Sequence, residues 1–285
     1  MKTFAWIVVF FACSSFVPAF AGYTLYGDLP YVTDADSKQQ TLDVYVPRND
    51  ASVPMPVHIF VHGGGWVIGD KGHRARRRAA FYTDRGVVLV SINYRLSPDY
   101  THPAHVEDCA AAVKWVVDNI SQYGGDPAHI VLSGHSAGAH LVALLAIHPD
   151  YLFAQGLSRD LFKAVVPVDT GQFDLTQPLA GRGANMLERM KEKAYGTSIE
   201  ILTDASPALQ VTPNASLSPF RLFVTADRSE AAERTRQFAE VLERNGHDAH
   251  YVVIDGGYSH GDMNRAIYEN DSPVSQTILD FLFSD

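Results

Sequence analysis

The chain predicts an α/β fold: a mostly parallel sheet covered by helices on both faces. Residues 87–92 and 163–168 are almost continuously apolar, as strands buried on both faces are. Segments of helical period at 106–120 and 231–245 separate such runs, and this strand–helix rhythm implies parallel crossovers. With 285 residues, 46% hydrophobic and 19% charged, the chain has the material for one large core.

Residues 1–21 read as a secretory signal. Lys2 supplies the positive end, residues 4–12 the apolar stretch, and Ala19-Phe20-Ala21 an A-x-A cleavage site. A membrane anchor is disfavoured because the apolar stretch is short and Pro18 follows it. A lipoprotein signal ending at Cys13 is the alternative. Cleavage after Ala21 leaves a mature domain, 22–285, with Cys109 as its single thiol and therefore no internal disulfide. The sequons at Asn119, Asn214 and Asn270 matter only in a eukaryotic secretory pathway.

Strands are expected at 23–26, 41–46 and 57–61, the second with period-2 alternation. A helix over 74–84 ends at Gly86, and the strand 87–92 follows. Beyond the helix 106–120, Asp126-Pro127 turns the chain into a strand at 130–132. Strand 163–168 comes next, and then the rhythm breaks. Residues 171–219 hold Gly, Pro and one helical piece, 186–194, and are expected to form an insertion that caps the C-terminal edge of the sheet. Alternation resumes with strand 221–225, helix 231–245 closed by Gly246, strand 250–254 and the helix Pro273–Phe283.

Chemistry centres on Gly134-His135-Ser136-Ala137-Gly138, which joins the strand 130–132 to the helical run 139–147. This is the setting of a nucleophile elbow: a strained turn exposes the serine Oγ while the glycines let neighbouring backbone approach. Ser136 is the expected nucleophile, with the N–H of Ala137 left free at the helix start. A serine needs a base oriented by a third group. Of the twelve histidines, His260 fits, in a Gly-rich loop after the last strand; His102, His105, His140 and His250 have plainer positions. The acid should lie between the two in chain order, just past a strand end. Asp227, after strand 221–225, is preferred, with Asp169 and Glu230 as alternatives. Three glycines after strand 57–61 let the amides of Gly64 and Gly65 join Ala137 as oxyanion donors.

The motifs His62-Gly63-Gly64-Gly65-Trp66, Asn93-Tyr94-Arg95-Leu96, Gly125-Asp126-Pro127 and the serine pentapeptide resemble, in that order, those of the α/β-hydrolase esterases. The likeness spans nearly all of residues 40–283 and is greatest to the feruloyl-esterase-like carboxylesterases and arylformamidases. It implies an α/β-hydrolase fold, a triad of Ser136, Asp227 and His260, and an oxyanion hole of Gly64, Gly65 and Ala137. The segment Ala226-Asp227-Arg228-Ser229-Glu230 departs from relatives that place a second acid or a proline just after the aspartate. The long N-terminal helical cap of hormone-sensitive-lipase-like relatives is also missing, so an open site is expected.

The expected activity is hydrolysis of short-chain or aromatic acyl esters by an exported serine carboxylesterase working through an acyl-enzyme. An arylformamidase-type amidohydrolase is the alternative, and a non-catalytic binding protein on the same fold a distant third. Trp66 and Tyr258 are candidates to stack on a flat substrate. A formal charge of −9 argues against nucleic acid or an anionic membrane surface as partner. No stable membrane association is expected after signal cleavage, and no cofactor, metal-ligand spacing or phosphate loop is apparent. Arg74, Arg76, Arg77 and Arg78 read as a solvated helix face, with attraction of an anionic substrate the alternative. Cys109 reads as a packed, unreactive thiol.

Overall fold

The computed structural model describes residues 22–35, 38–48, 53–179 and 183–284. The signal reading and Cys13 lie outside these residues. Eight strands form one sheet in the order β1-β2-β4-β3-β5-β6-β7-β8. They are β1 (Tyr23–Pro30), β2 (Thr41–Pro47), β3 (Met55–Val61), β4 (Val88–Ile92), β5 (Gly125–His135), β6 (Ala164–Val168), β7 (Phe220–Thr225) and β8 (Ala249–Ile254). The β1–β2 and β2–β4 pairs are antiparallel. All pairings from β4 through β8 are parallel, so the expected mostly parallel sheet is what the chain builds.

Side-chain alternation divides the core between the two faces. Val57, Ile59 and Val61 of β3 join Ile130 and Leu132 of β5 on one side. There α2 (Ala104–Asn119), α3 (Ala137–Ile147) and α7 (Ser229–Arg244) contribute Val113, Leu141 and Phe238. Phe60, Val131 and Val166 face the other side. They meet Ala79 and Tyr82 of α1 (Ala75–Thr83), Met263 of α8 (His260–Ala266) and Ile278 of α9 (Pro273–Phe283). Helix α3 is buried over its whole length, which explains why it carries no polar stripe.

Three features differ from the sequence reading. Asp126-Pro127 lies within β5, where the register jumps from Met55↔Gly125 to Val57↔Ile130. The turn survives as a bulge, with Ala128 N–H donating to Asp126 Oδ1 at 2.9 Å. Short helices α4 (Pro149–Ala154) and α6 (Ile199–Asp204) and helix α8 escape a periodicity reading because each is about two turns or less. Arg78 does not share the solvated face of its neighbours: Arg74, Arg76 and Arg77 are exposed, whereas Arg78 sits in the buried stripe with Ala75, Ala79 and Tyr82.

The segment 171–219 carries α5 (Ala184–Tyr195), α6 and a 3-10 turn, Pro207–Leu209. It is fastened to the elbow helix by His140, whose Nε2 lies 2.8 Å from the Ala205 carbonyl, and by Tyr195, which packs edge-on against both His140 and Trp66. Among the described residues no helix is long and apolar enough to cross a membrane. Cys109 is a buried free thiol whose pKa burial raises well above its usual value, as an unreactive thiol requires.

Candidate active site

Ser136 sits between β5 and α3 at φ 57°, ψ −119°, a conformation that non-glycine residues adopt only when their surroundings enforce it. Those surroundings are explicit. A Cβ on Gly134 would lie 2.3 Å from the Gly138 carbonyl oxygen, and one on Gly138 would lie 2.2 Å from that of Val61. Only glycine at both positions lets strand, turn and helix close this tightly. Ser136 N–H donates to Val168 O at 2.9 Å, which ties the elbow to the end of β6.

His260 opens α8. Its neighbour Ser259 caps that helix through a capping box with Asp262, fixing the backbone that carries the imidazole. The loop before it is drawn back over β7 by a hydrogen bond from Thr225 Oγ1 to the Tyr258 carbonyl. As a result His260 Nε2 lies 3.0 Å from Ser136 Oγ. Its carbonyl accepts the Nε2–H of His135 at 2.9 Å, and His135 is held neutral because burial, with His260 beside it, lowers its pKa to about 3.

The carboxylate beside His260 is not the one the sequence favoured. Asp169, at the end of β6, places Oδ2 2.5 Å from His260 Nδ1. Its carboxylate is 0% exposed, with Oδ1 accepting Thr225 N–H at 3.1 Å and Oδ2 accepting Arg228 Nη1 at 3.1 Å. Burial alone would raise its pKa. The His260 hydrogen bond and the Arg228 charge outweigh it and hold the carboxyl below the ordinary range. Asp227 stands in an exposed turn two residues beyond β7, bordering the cavity, with its N–H on Thr225 Oγ1 and no side-chain partner among the described residues. Glu230, the other alternative, pairs with Arg234 at 2.6 Å. The reason lies in strand order: β6 is hydrogen-bonded to the elbow strand and β7 is one place farther out. Asp169 satisfies the same two criteria that favoured Asp227, a strand end and a place between Ser136 and His260.

His135, Asp169 and His260 also bring ligand atoms within 4.8 Å of one another, a grouping that the sequence spacing did not reveal. Both His260 nitrogens and the Asp169 carboxylate already make hydrogen bonds within this group or to Ser136, and His135 Nε2 holds the His260 carbonyl.

Gly64 and Gly65 have φ of 122° and 59° and border the cavity with Ser136. A Cβ on Gly63 would lie 3.0 Å from the Ser136 Cβ, so this loop runs directly against Ser136. The amides of Gly64, Gly65 and Ala137 have no acceptor among the described residues. His62 anchors the loop, its ring stacked on Tyr94 at 4.4 Å and its Nδ1 2.8 Å from the Gly63 carbonyl.

The cavity over Ser136 has a volume of about 880 Å³. Met186, Leu187 and Met190 of α5 line one wall, together with Ile68 and Leu179. Trp66 and Tyr258 do not line it. Trp66 is 0% exposed, packed into the core against His140 and Tyr195, and Tyr258 is half-buried against the α8/α9 side of the core. Both are packing residues, and the substrate roles expected for them are withdrawn.

The profile of the BD-FAE family matches residues 42–239. Esterase LipC of Mycobacterium tuberculosis is 32% identical over 226 residues, 76% of this chain and 54% of its own length. A probable isoprenylcysteine alpha-carbonyl methylesterase, ICMEL1 of Arabidopsis thaliana, is 31% identical over 89% of this chain and 57% of its own. The chain thus spans about half the length of these curated relatives. Among solved structures, the hyperthermophilic esterase from Pyrobaculum calidifontis superposes with a TM-score of 0.70 at 25% identity, covering 85% of this chain and 80% of its own. Esterase B from Lactobacillus rhamnosis, at 23% identity and TM-score 0.76 over 93% of this chain and 85% of its own, shares the fold.

Proposed function

Because the chain belongs to the BD-FAE family of α/β-hydrolase proteins, we propose that it is a serine carboxylesterase whose triad is Ser136, His260 and Asp169. The observation that carries this reading is the continuous relay from Ser136 Oγ through His260 to a buried, ionised Asp169. Asp169 accepts the Nδ1–H of His260, which leaves the Nε2 lone pair toward the serine hydroxyl. His260 takes the Ser136 proton as Oγ attacks the ester carbonyl. The carbonyl oxygen gains the charge and is met by the amides of Gly64, Gly65 and Ala137. Protonated His260 then delivers its proton to the departing alkoxide, giving the alcohol and an acyl-Ser136. Water, deprotonated by the same imidazole, attacks the acyl carbon, and collapse of the second intermediate returns the proton to Ser136 and releases the acid. Short-chain or aromatic acyl esters are the proposed substrates. Export is proposed on residues 1–21, and mass spectrometry of the protein recovered outside the cytoplasm should find Gly22 at its N-terminus.

The test is p-nitrophenyl acetate hydrolysis with an N-formyl aromatic amine alongside. The wild type should turn over the ester and take one covalent phosphonate on Ser136 by mass spectrometry. Ser136→Ala should lose both while melting within a few degrees of the wild type. Turnover by Ser136→Ala would remove the nucleophile, and faster cleavage of the formamide would move the protein to the amidohydrolases.

A further inference from the structure

The cavity that opens onto Ser136 and His260 extends to a second group that the reaction does not use. It is bordered there by Phe60, His62, His73, Arg74, Arg78 and Asn264. Arg78 projects from α1 and is 0% exposed, its guanidinium carbon 3.4 Å from the centre of the Phe60 ring. Among the described residues no carboxylate pairs with it. Nη2 has one long bond, 3.3 Å to Asn264 Oδ1, while Nε and Nη1 have no acceptor. An aromatic face offsets only a small part of the cost of taking a cation out of water. Burial accordingly pulls its pKa down to about 10, which still leaves it charged at neutral pH. Exposed Arg74 adds a second positive charge at the mouth. Asp70 also lines the cavity, but its oxygens are engaged elsewhere: Oδ1 accepts Gly72 N–H at 2.6 Å, and Oδ2 accepts Asn93 Nδ2 at 3.5 Å.

A buried cation with free donors, facing a cavity that also holds the nucleophile, lacks its counter-charge. We propose that Arg78 is an anion subsite, and that the preferred substrates are esters bearing a carboxylate on the part of the molecule remote from the scissile bond. This deepens the esterase reading and rests on it. The carboxylate would accept from the unpaired Arg78 donors with the Asn264 amide beside them, and Arg74 would draw it in. Such charge-assisted bonds inside a partly dry cavity are the strong class of hydrogen bond. They also give selectivity, because a neutral analogue would leave the cation unpaired.

The test compares the mono-p-nitrophenyl ester of succinic acid with p-nitrophenyl 4-methylpentanoate, whose isopropyl end is a neutral isostere of the carboxylate. In the wild type kcat/KM should favour the succinyl ester by about tenfold or more at low salt, mostly through KM. In Arg78→Met that ratio should fall to about one or below, and Arg78→Lys should recover part of it. Succinate should competitively inhibit cleavage of the neutral ester, whereas succinamide should not. Succinate should also raise the wild-type Tm, a readout independent of turnover and of whether Arg78→Met folds. A wild-type ratio near one, a ratio unchanged in Arg78→Met, or no effect of succinate on inhibition and Tm would overturn the subsite. Failure to cleave either ester would instead strike the esterase reading, with the succinate Tm shift still deciding the subsite.

Discussion

His260 Nδ1 meets Asp169 Oδ2 at 2.5 Å, across 91 residues of sequence and from the strand adjacent to the elbow. In the proposed triad that contact makes Asp169, and not Asp227, the carboxylate that orients the base. Asp169→Asn should lower kcat about 10³–10⁴-fold, because a neutral amide can present its N–H to Nδ1 and turn the imidazole into the wrong tautomer. Asp227→Asn should stay within a few-fold of wild type. Steady-state kinetics on one neutral ester settles the matter, and the reverse order of effects would return the acid role to Asp227.

The different legibility of these residues has a physical basis. Ser136 and the glycines around it were readable because backbone closure at the elbow forbids any Cβ at Gly134 and Gly138, and such a constraint is local. His260 was readable as the histidine after the last strand. Asp169 and Asp227 meet the same local criteria, and only strand order and the Thr225–Tyr258 tether place His260 beside β6. Arg78 was hidden for a related reason. In a run of arginines the side that faces the core depends on how α1 docks, and nothing in the run marks one cation as buried. The aromatic character of Trp66 suggested a substrate contact. Its complete burial, edge-on to His140 of α3 and Tyr195 of α5, makes it a packing residue.

The glycine loop offers a sharper test than the side chains do. At Gly64, with φ 122°, a Cβ would lie 1.8 Å from the Ile68 carbonyl oxygen, so Gly64→Ala must displace the loop. If its amide meets the oxyanion, kcat should drop about 10²–10³-fold, the usual loss for one such donor. Phosphonate labelling of Ser136 should slow in parallel, since that adduct carries the same oxygen. A folded Gly64→Ala variant with wild-type kcat would exclude the Gly64 amide.

Stability should fall in mild acid. Burial holds His62 and His140 at a pKa of about 4, and His105 and His135 at about 3, against an ordinary value of 6.5. The unfolded chain binds protons on these rings below about pH 6.5 while the folded chain refuses them, so unfolding gains ground as pH drops. The contribution is fully present above 6.5 and is lost progressively down to the folded values of 3–4. Asp169 adds a later loss. Its folded pKa is depressed below 3.8, so its contribution holds above that value and disappears as pH falls through the folded one. Urea midpoints should therefore decline steadily from pH 7 to pH 4.5, before most carboxylates titrate. A flat profile over that interval would mean that the buried imidazoles are protonated in the folded protein.

Acyl length should separate this protein from a lipase. A long chain gains about 0.8 kcal/mol per methylene only where each methylene is buried. The apolar wall of the cavity is short: Met186, Leu187 and Met190 from α5, with Ile68 and Leu179. Elsewhere Phe60, Ala184 and Ala231 are interspersed with His73, Arg74, Asp227, Glu230 and Arg234, against which a methylene gains little. Met186 is itself 58% exposed, so α5 leaves its own apolar edge in water and does not roof a trough. The first few methylenes should lower KM by packing on Met190 and Leu187, and later ones should project past α5 into solvent. Across p-nitrophenyl acetate to palmitate, kcat/KM should peak at short lengths and then fall. Met190→Ala should flatten the short-chain rise, because Met190 Sδ would lie 2.4 Å from a Cβ on Gly65 and so stands directly beside the glycine loop. A rise continuing to palmitate, with activation at an oil–water interface, would require a longer apolar channel than these residues build.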